Sequence, residues 1–334
     1  MPARSFSRCI KRAGRFAFAL AVLAAPLAVD AQRPGTGYRI GWIGNDPPDA
    51  SVGFGAFRQR LGEVGWVEGR NVVIEHRHSA GRSERLPALA AELVRLHVDL
   101  IVASAAPATH AAKQATATIP IVGVAMSDPV GQGLAASLVR PGGNVTGLAS
   151  LFPELAAKRL ELLKETLPRV SRVAVLWNAA NPGNVRQFEE TKLVAPTLGL
   201  KLQSVQVRSP DDFPGAFAAM SRTRPEALVI LADPFTFSHR TQIVDFAAKS
   251  RLPAIHPFRE SVEAGGLIAY GVDLPDMYRR AASYVDKILR GAKPADLPIE
   301  QPTKFEFVIN IKAAKALGLT IPPSLLLRAD RVVE

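Results

Sequence analysis

The 334-residue chain holds a single cysteine, Cys9, close to its start. Neither a disulfide framework nor thiol catalysis can be built on anything later. Long apolar runs are scarce too. "FAFALAVLAAPLAV" (Phe16 to Val29) is the longest, and it is short for a bilayer-spanning helix. Clusters of Lys and Arg interleaved with aromatics are missing, which argues against a nucleic-acid partner. No G-x-S-x-G elbow and no P-loop lysine motif occurs. "GWIGND" lacks the glycine spacing that admits a pyrophosphate. Six histidines are present, and His76 and His78 alternate on a strand, but no further ligands accompany them. No catalytic residue, cofactor or metal is therefore expected.

What is present begins with Arg4, Arg8, Lys11, Arg12 and Arg15, a basic stretch ahead of the apolar run. "VDA" (Val29 to Ala31) then supplies a small-residue cleavage pattern. Residues 1–31 read as a secretory signal peptide, cut before Gln32. Cys9 lies ahead of the apolar run, not at the cleavage point, so a lipid anchor is not expected there. Removing residues 1–31 reduces the 41 basic and 30 acidic residues to 36 and 29, a charge of about +7. Those charges are scattered.

From Tyr38 onward, short β-branched runs alternate with longer helical patterns, the signature of a parallel α/β fold. "YRIGWIG" is a first strand, and Phe54, Phe57 and Leu61 share one face of a helix over Val52 to Glu63. "RNVVIEHR", "DLIVAS" and "IPIVGVA" give three more strands. The second half repeats the order with "RVAVLWN", "LKLQSVQV", "EALVILAD" and "LPAIHPF", offset by roughly 130 residues. Two similar lobes result, each a parallel sheet flanked by helices. Residues 38–146 with about 272–298 form the first, and 147–271 with about 299–334 the second. "RPGGNVTGLAS", "AGGLIAYGVD" and "GAKPADLPIEQPTKF" are read as three crossings that make a hinge.

The chain resembles a known family. "GWVEGRNVVIE", "RPGGNVTG", "KRLELLKE", "RRAASYVDKILRGAKPADLPIEQPTKFEFVIN" and "KALGLTIPPSLL" together look like an ABC-transporter substrate-binding protein. They are similar to the group that includes tryptophan-binding lipoproteins. The resemblance implies the type I periplasmic binding protein fold and capture of a solute without turnover. It also implies delivery to a permease and ATPase at the inner membrane. The lipobox cysteine of the lipoprotein members is missing, which implies a freely diffusing periplasmic protein; a monomer is expected. Two other readings use the same architecture: a sensing subunit of a signalling system, and a secreted α/β enzyme.

In open parallel sheets, ligands bind beyond the carboxyl ends of the strands. Those ends supply Asn45, Asp46, Ser104, Thr109, Ser127, Asp128, Asn178, Asn181, Asp233, Phe235 and Phe258, and Tyr270 adds an aromatic candidate. Ser104 and Thr109 are placed to receive a ligand carboxylate, and Asp233 to face its ammonium, as a zwitterionic amino acid requires. Each has a plainer alternative. Asp128–Pro129 and Asp233–Pro234 also make good helix starts. Trp42 and Trp177 suit either the apolar part of a ligand or a core.

Overall fold

The computed structural model describes residues 37–334; the expected signal peptide and its cleavage point lie outside them. Five strands build the first sheet: β1 (Tyr38–Gly44), β2 (Val72–His78), β3 (Leu100–Ser104), β4 (Ile121–Ser127) and β5 (Val145–Ser150). Their order is β2-β1-β3-β4-β5, and every pair is parallel. Helices α1 (Val52–Glu63), α2 (Leu86–Arg95) and α3 (Ala105–Ala115) make the crossovers. The expected bounds of β1 and α1 are observed. Both follow from pattern: β1 is apolar enough for a strand covered on both faces, and Ser51 caps α1 by accepting from the Phe54 amide.

The chain then passes through α4 (Phe152–Thr166) into a second sheet. Its first strands are β6 (Arg172–Asn178), β7 (Lys201–Val207), β8 (Ala227–Ile230), β9 (Ala254–His256) and β10 (Ile268–Val272). Between them lie α5 (Pro182–Val194), α6 (Phe213–Thr223), α7 (Pro234–Ser238), α8 (Arg240–Lys249) and α9 (Arg259–Glu263). After β10 comes α10 (Leu274–Leu289), which returns to pack on α1 of the first lobe. The contact is close: a side chain at Gly53 would put its first carbon 2.1 Å from the Tyr278 ring. The chain finally re-enters the second sheet as β11 (Phe305–Asn310), followed by α11 (Ile311–Ala316), α12 (Pro323–Arg328) and β12 (Arg331–Val333).

The second sheet runs β12-β11-β10-β9-β8-β6-β7. It is parallel except where β11 meets β10 antiparallel, because the excursion through α10 brings the chain back from the opposite direction. Two expected crossings contain strands. β5 lies within the first, so residues 147–150 belong to the first sheet, and β10 lies within the second. Gly147 makes the first possible: at φ 127° it sits against the Gly123 carbonyl, where any side chain would clash. Both sheets are covered on both faces by apolar residues, each worth about 1.5–3 kcal/mol when fully buried.

Candidate functional site

The carboxyl ends of β1, β3 and β4 face those of β8 and β9 across a cavity of about 620 Å³, part of it open to solvent. The first lobe contributes Trp42, Asp46, Ser104, Ala105, Ala125 and Tyr278 to its lining. From the other side come Phe152, Asp233, Phe237 and Phe258. The lobes touch around it. Asn45 Nδ2 donates to the Pro234 carbonyl at 3.4 Å and to Ser238 Oγ. Ser238 in turn donates to Asp46 Oδ1. Farther out, Arg186 pairs with Asp128.

The aromatic lining divides by lobe. Trp42 stacks on Tyr278 with centroids 5.7 Å apart. Opposite them, Phe258 meets Phe152 and Phe237 edge-on at 5.8 and 5.1 Å. Among the described residues, the Trp42 indole N–H donates to no acceptor. Such rings give a flat apolar ligand stacking and edge contacts. Of these five, sequence reasoning named Phe258 and weighed Trp42. Tyr278 was missed because it sits inside the amphipathic pattern of α10, where an aromatic reads as core.

The polar lining is where the two lobes differ. Ser104 precedes α3 but does not cap it; its hydroxyl and the Tyr278 hydroxyl are 2.5 Å apart. The first amides of α3 are thus left without a side-chain cap at the cavity wall, a favourable position for an anion. Burial pushes the Tyr278 phenol up to about 12, so it stays protonated. Asp46 is partly buried, and desolvation raises its carboxyl above the usual range against hydrogen bonds from Ser238 and Asn45. Both bonds go to Oδ1, so among the described residues Oδ2 accepts nothing.

Asp233 is different. It is 2 % exposed and caps α7, with Oδ1 accepting from the Phe235 and Thr236 amides at 2.8 and 3.3 Å. Asn178 Nδ2 reaches the same oxygen at 3.2 Å, and Asn181 Nδ2 reaches Oδ2 at 2.7 Å. Burial raises its carboxyl despite these four donors. Asn181 also caps α5, accepting from the Gly183 amide at 2.9 Å. Asn178 and Asn181 therefore hold Asp233 and the loops of their own lobe.

The remaining expected residues lie as follows. Thr109 is fully buried, and its hydroxyl donates to the Ala105 carbonyl at 2.9 Å, one helical turn back. Ser127 is buried against the start of α5, beside Gly183. Asp128 starts a turn, not a helix; its φ is 43° and it accepts from the Gly131 amide. Phe235 packs on Phe213 and lines a smaller adjoining cavity with Asn45 and Asn178. Tyr270 packs edge-on against Phe307 and does not line the main cavity. Trp177 stacks on Phe188 and donates to Ser204, away from the cleft. Among the described residues, no cluster of His, Cys, Asp or Glu could hold a metal ion.

Backbone strain marks the cavity independently. Ala105 and Ala125 have φ of 66° and 57° and both line it. Left-handed alanines carry roughly 1–2 kcal/mol each and persist where their surroundings enforce them, often at functional sites. Ala125 sits where the β4–β5 register shifts, and such irregularities re-aim the chain near binding sites. Nothing in "IVGVAMS" announces this.

Two α/β lobes with a strand-end cavity between them, joined by several chain passages, define the type I periplasmic binding protein architecture. A sequence model described as ABC transporter substrate binding protein matches residues 49–333, and the chain belongs to that family. It is 26% identical over 263 residues to a tyrosine-binding protein of Clostridioides difficile, covering 79% of this chain and 75% of that one. An ABC domain from Streptococcus pneumonia, solved in complex with L-Trp, superposes with a TM-score of 0.81 at 29% identity. That match covers 89% of this chain and all of the other. A conserved domain protein from Vibrio cholerae gives the same TM-score at 30% identity, covering 88% and 99%.

Proposed function

We propose that the protein is a periplasmic receptor that captures an aromatic L-amino acid between its lobes and delivers it to an ABC importer, without chemical turnover. One observation carries the ligand class: five aromatic rings enclose a cavity that also holds a carboxylate with an open oxygen and an uncapped helix start. In this reading the ligand ring lies between Trp42–Tyr278 and Phe237–Phe258. Its carboxylate meets the α3 amides beside Ser104. Its ammonium meets Asp46, whose Oδ2 is open, while Asp233, engaged by four donors, shapes the second wall. The C. difficile and Streptococcus relatives, named for tyrosine and solved with L-Trp, support the same class.

The two lobes act as the jaws of a clamshell that opens where the chain passes between the sheets, near residues 150–152, 272–274 and 301–304. The contacts of Asn45, Asp46 and Ser238 and the Arg186–Asp128 pair then belong to the closed form. Export follows from residues 1–31, and N-terminal sequencing of the periplasmic fraction should begin at Gln32.

Calorimetric titration of protein refolded free of ligand tests the reading. L-tryptophan, L-tyrosine or L-phenylalanine should bind at least tenfold more tightly than L-leucine. Indole-3-propionate, which lacks the ammonium, should bind far more weakly than L-tryptophan. Absence of binding by all three aromatic amino acids would sink the ligand assignment. Recovery of a chemically altered ligand would sink the receptor reading.

A further inference from the structure

The second lobe carries another cavity, separate from the cleft, of about 930 Å³ and partly open to solvent. It lies over β9 between α8 and α11. Its apolar walls include Val244, Ala247, Leu252, Ala313, Ala316 and Leu317, all aliphatic. No Phe, Tyr or Trp lines it, in contrast to the cleft. A ligand body seated here meets branched and short side chains that suit a flexible hydrocarbon more than a flat ring.

The charged lining has one sign. Arg251 and Lys312 both line the cavity, and no carboxylate does. Among the described residues neither cation forms an ion pair, although nineteen such pairs are found elsewhere. Arg251 is held at φ 50°, an unusual conformation for a residue without a glycine's freedom. His256 is an independent observation. It lines the same cavity, is 1 % exposed, and its Nε2 has no hydrogen-bond partner. Buried polar atoms are nearly always paired, so an orphaned one inside a cavity points to a partner that the chain itself does not supply. Burial holds the imidazole down at about 4, so at neutral pH it offers a hydrogen bond and not a charge.

We infer that this cavity is a second binding site, for a medium-chain aliphatic monocarboxylate, with the acid held by Arg251 and Lys312 and a polar atom within reach of His256. The site stands apart from the proposed amino-acid cleft and does not depend on that assignment. It also lies one residue from the cleft wall along the chain, because Pro257 alone separates His256 from Phe258.

Octanoate is the probe. Calorimetric titration of the purified chain, at low ionic strength, should show one saturable site per molecule. Octan-1-ol, with the same body and no charge, should bind at least tenfold more weakly. The double variant Arg251→Gln/Lys312→Gln should weaken octanoate at least tenfold and leave the cleft's affinity for its amino acid within about twofold. Ala313→Leu, which fills the cavity with apolar bulk, should remove octanoate binding while the protein still melts cooperatively. The inference is overturned if octanoate shows no saturable binding to the wild type, or if the charge variant binds it as well. It is equally overturned if saturating aromatic amino acid displaces octanoate stoichiometrically, which would place the acid in the cleft.

Discussion

The two walls of the cleft use similar residue types differently. In the first lobe the polar groups keep open valence: Asp46 Oδ2 accepts nothing among the described residues, and Ser104 leaves α3 uncapped. In the second lobe Asn178, Asn181 and Asp233 satisfy one another and the local amides, and rings face the cavity. A carboxylate at a strand end thus has two uses. Asp233 is consumed by its own loop, whereas Asp46 keeps one oxygen unengaged among the described residues. What separates them is the number of donors already spent on each oxygen.

The largest effect should come from the open side. Asp46→Asn removes the charge proposed to face the ammonium while keeping the bonds to Ser238 and Asn45 within reach. Affinity for the aromatic amino acid should fall by about 2–5 kcal/mol, roughly thirtyfold or more, with little change in the melting temperature of the ligand-free protein. Calorimetry with both proteins measures it. An unchanged dissociation constant would transfer the ammonium to another group and erase the contrast between the lobes.

The second lobe has its own acid sensitivity, through His256. Its ordinary value near 6.5 falls to about 4 in the folded protein, because burial penalises the charged ring. Between those values the unfolded chain binds a proton that the folded chain does not. The stabilisation is complete above 6.5 and is lost as pH falls toward 4, amounting to about 2 kcal/mol by pH 5. Urea unfolding at pH 7.5 and pH 5 should show a steeper loss in the wild type than in His256→Leu. Parallel losses would mean that the ring is not held neutral by the fold.

Asp233→Asn probes the closed side. Asparagine still caps α7, but it places a second amide against Asn181 Nδ2, a donor facing a donor. Stability should drop by about 1–2 kcal/mol, while ligand affinity shifts less than about threefold. The opposite pattern, intact stability with lost affinity, would assign the ammonium to Asp233 after all. Arg186→Gln should have the smallest effect. The cross-lobe pair with Asp128 is half exposed, so its removal should weaken ligand binding by under about 1 kcal/mol, and less at high salt. A loss beyond tenfold would make it a principal latch of the closed form.

Much of the architecture was legible. The alternation of β-branched runs and amphipathic helices specified β1, α1 and most of the strands in both lobes, because hydrophobic period is a local property. β5 and β10 were read as crossings because Gly142, Gly143, Gly265 and Gly266 beside them signal turns, and glycine's meaning depends on what approaches it. β11 enters antiparallel only because α10 returns to the first lobe, a route that no window of sequence contains. Of the residues named from strand-end position, Asn45, Asp46, Ser104, Asp233 and Phe258 line the main cavity. Thr109, named on the same ground, and Tyr270, named as an aromatic, turn elsewhere.

What the sequence determined by itself was therefore the class: two α/β lobes, polar loops beyond their strand ends, and motifs that place the chain among ABC transporter substrate binding proteins. Only the tertiary structure decided which acid is spent and which is open. Asp46 and Asp233 are the same residue type at the ends of comparable strands, and local sequence makes both good caps or good ligands. The difference arises from donors brought together across 52 and 55 residues by Asn181 and Asn178, and across 192 by Ser238. Hydrogen-bond satisfaction is a property of assembled neighbours, and it is fixed when the lobes pack.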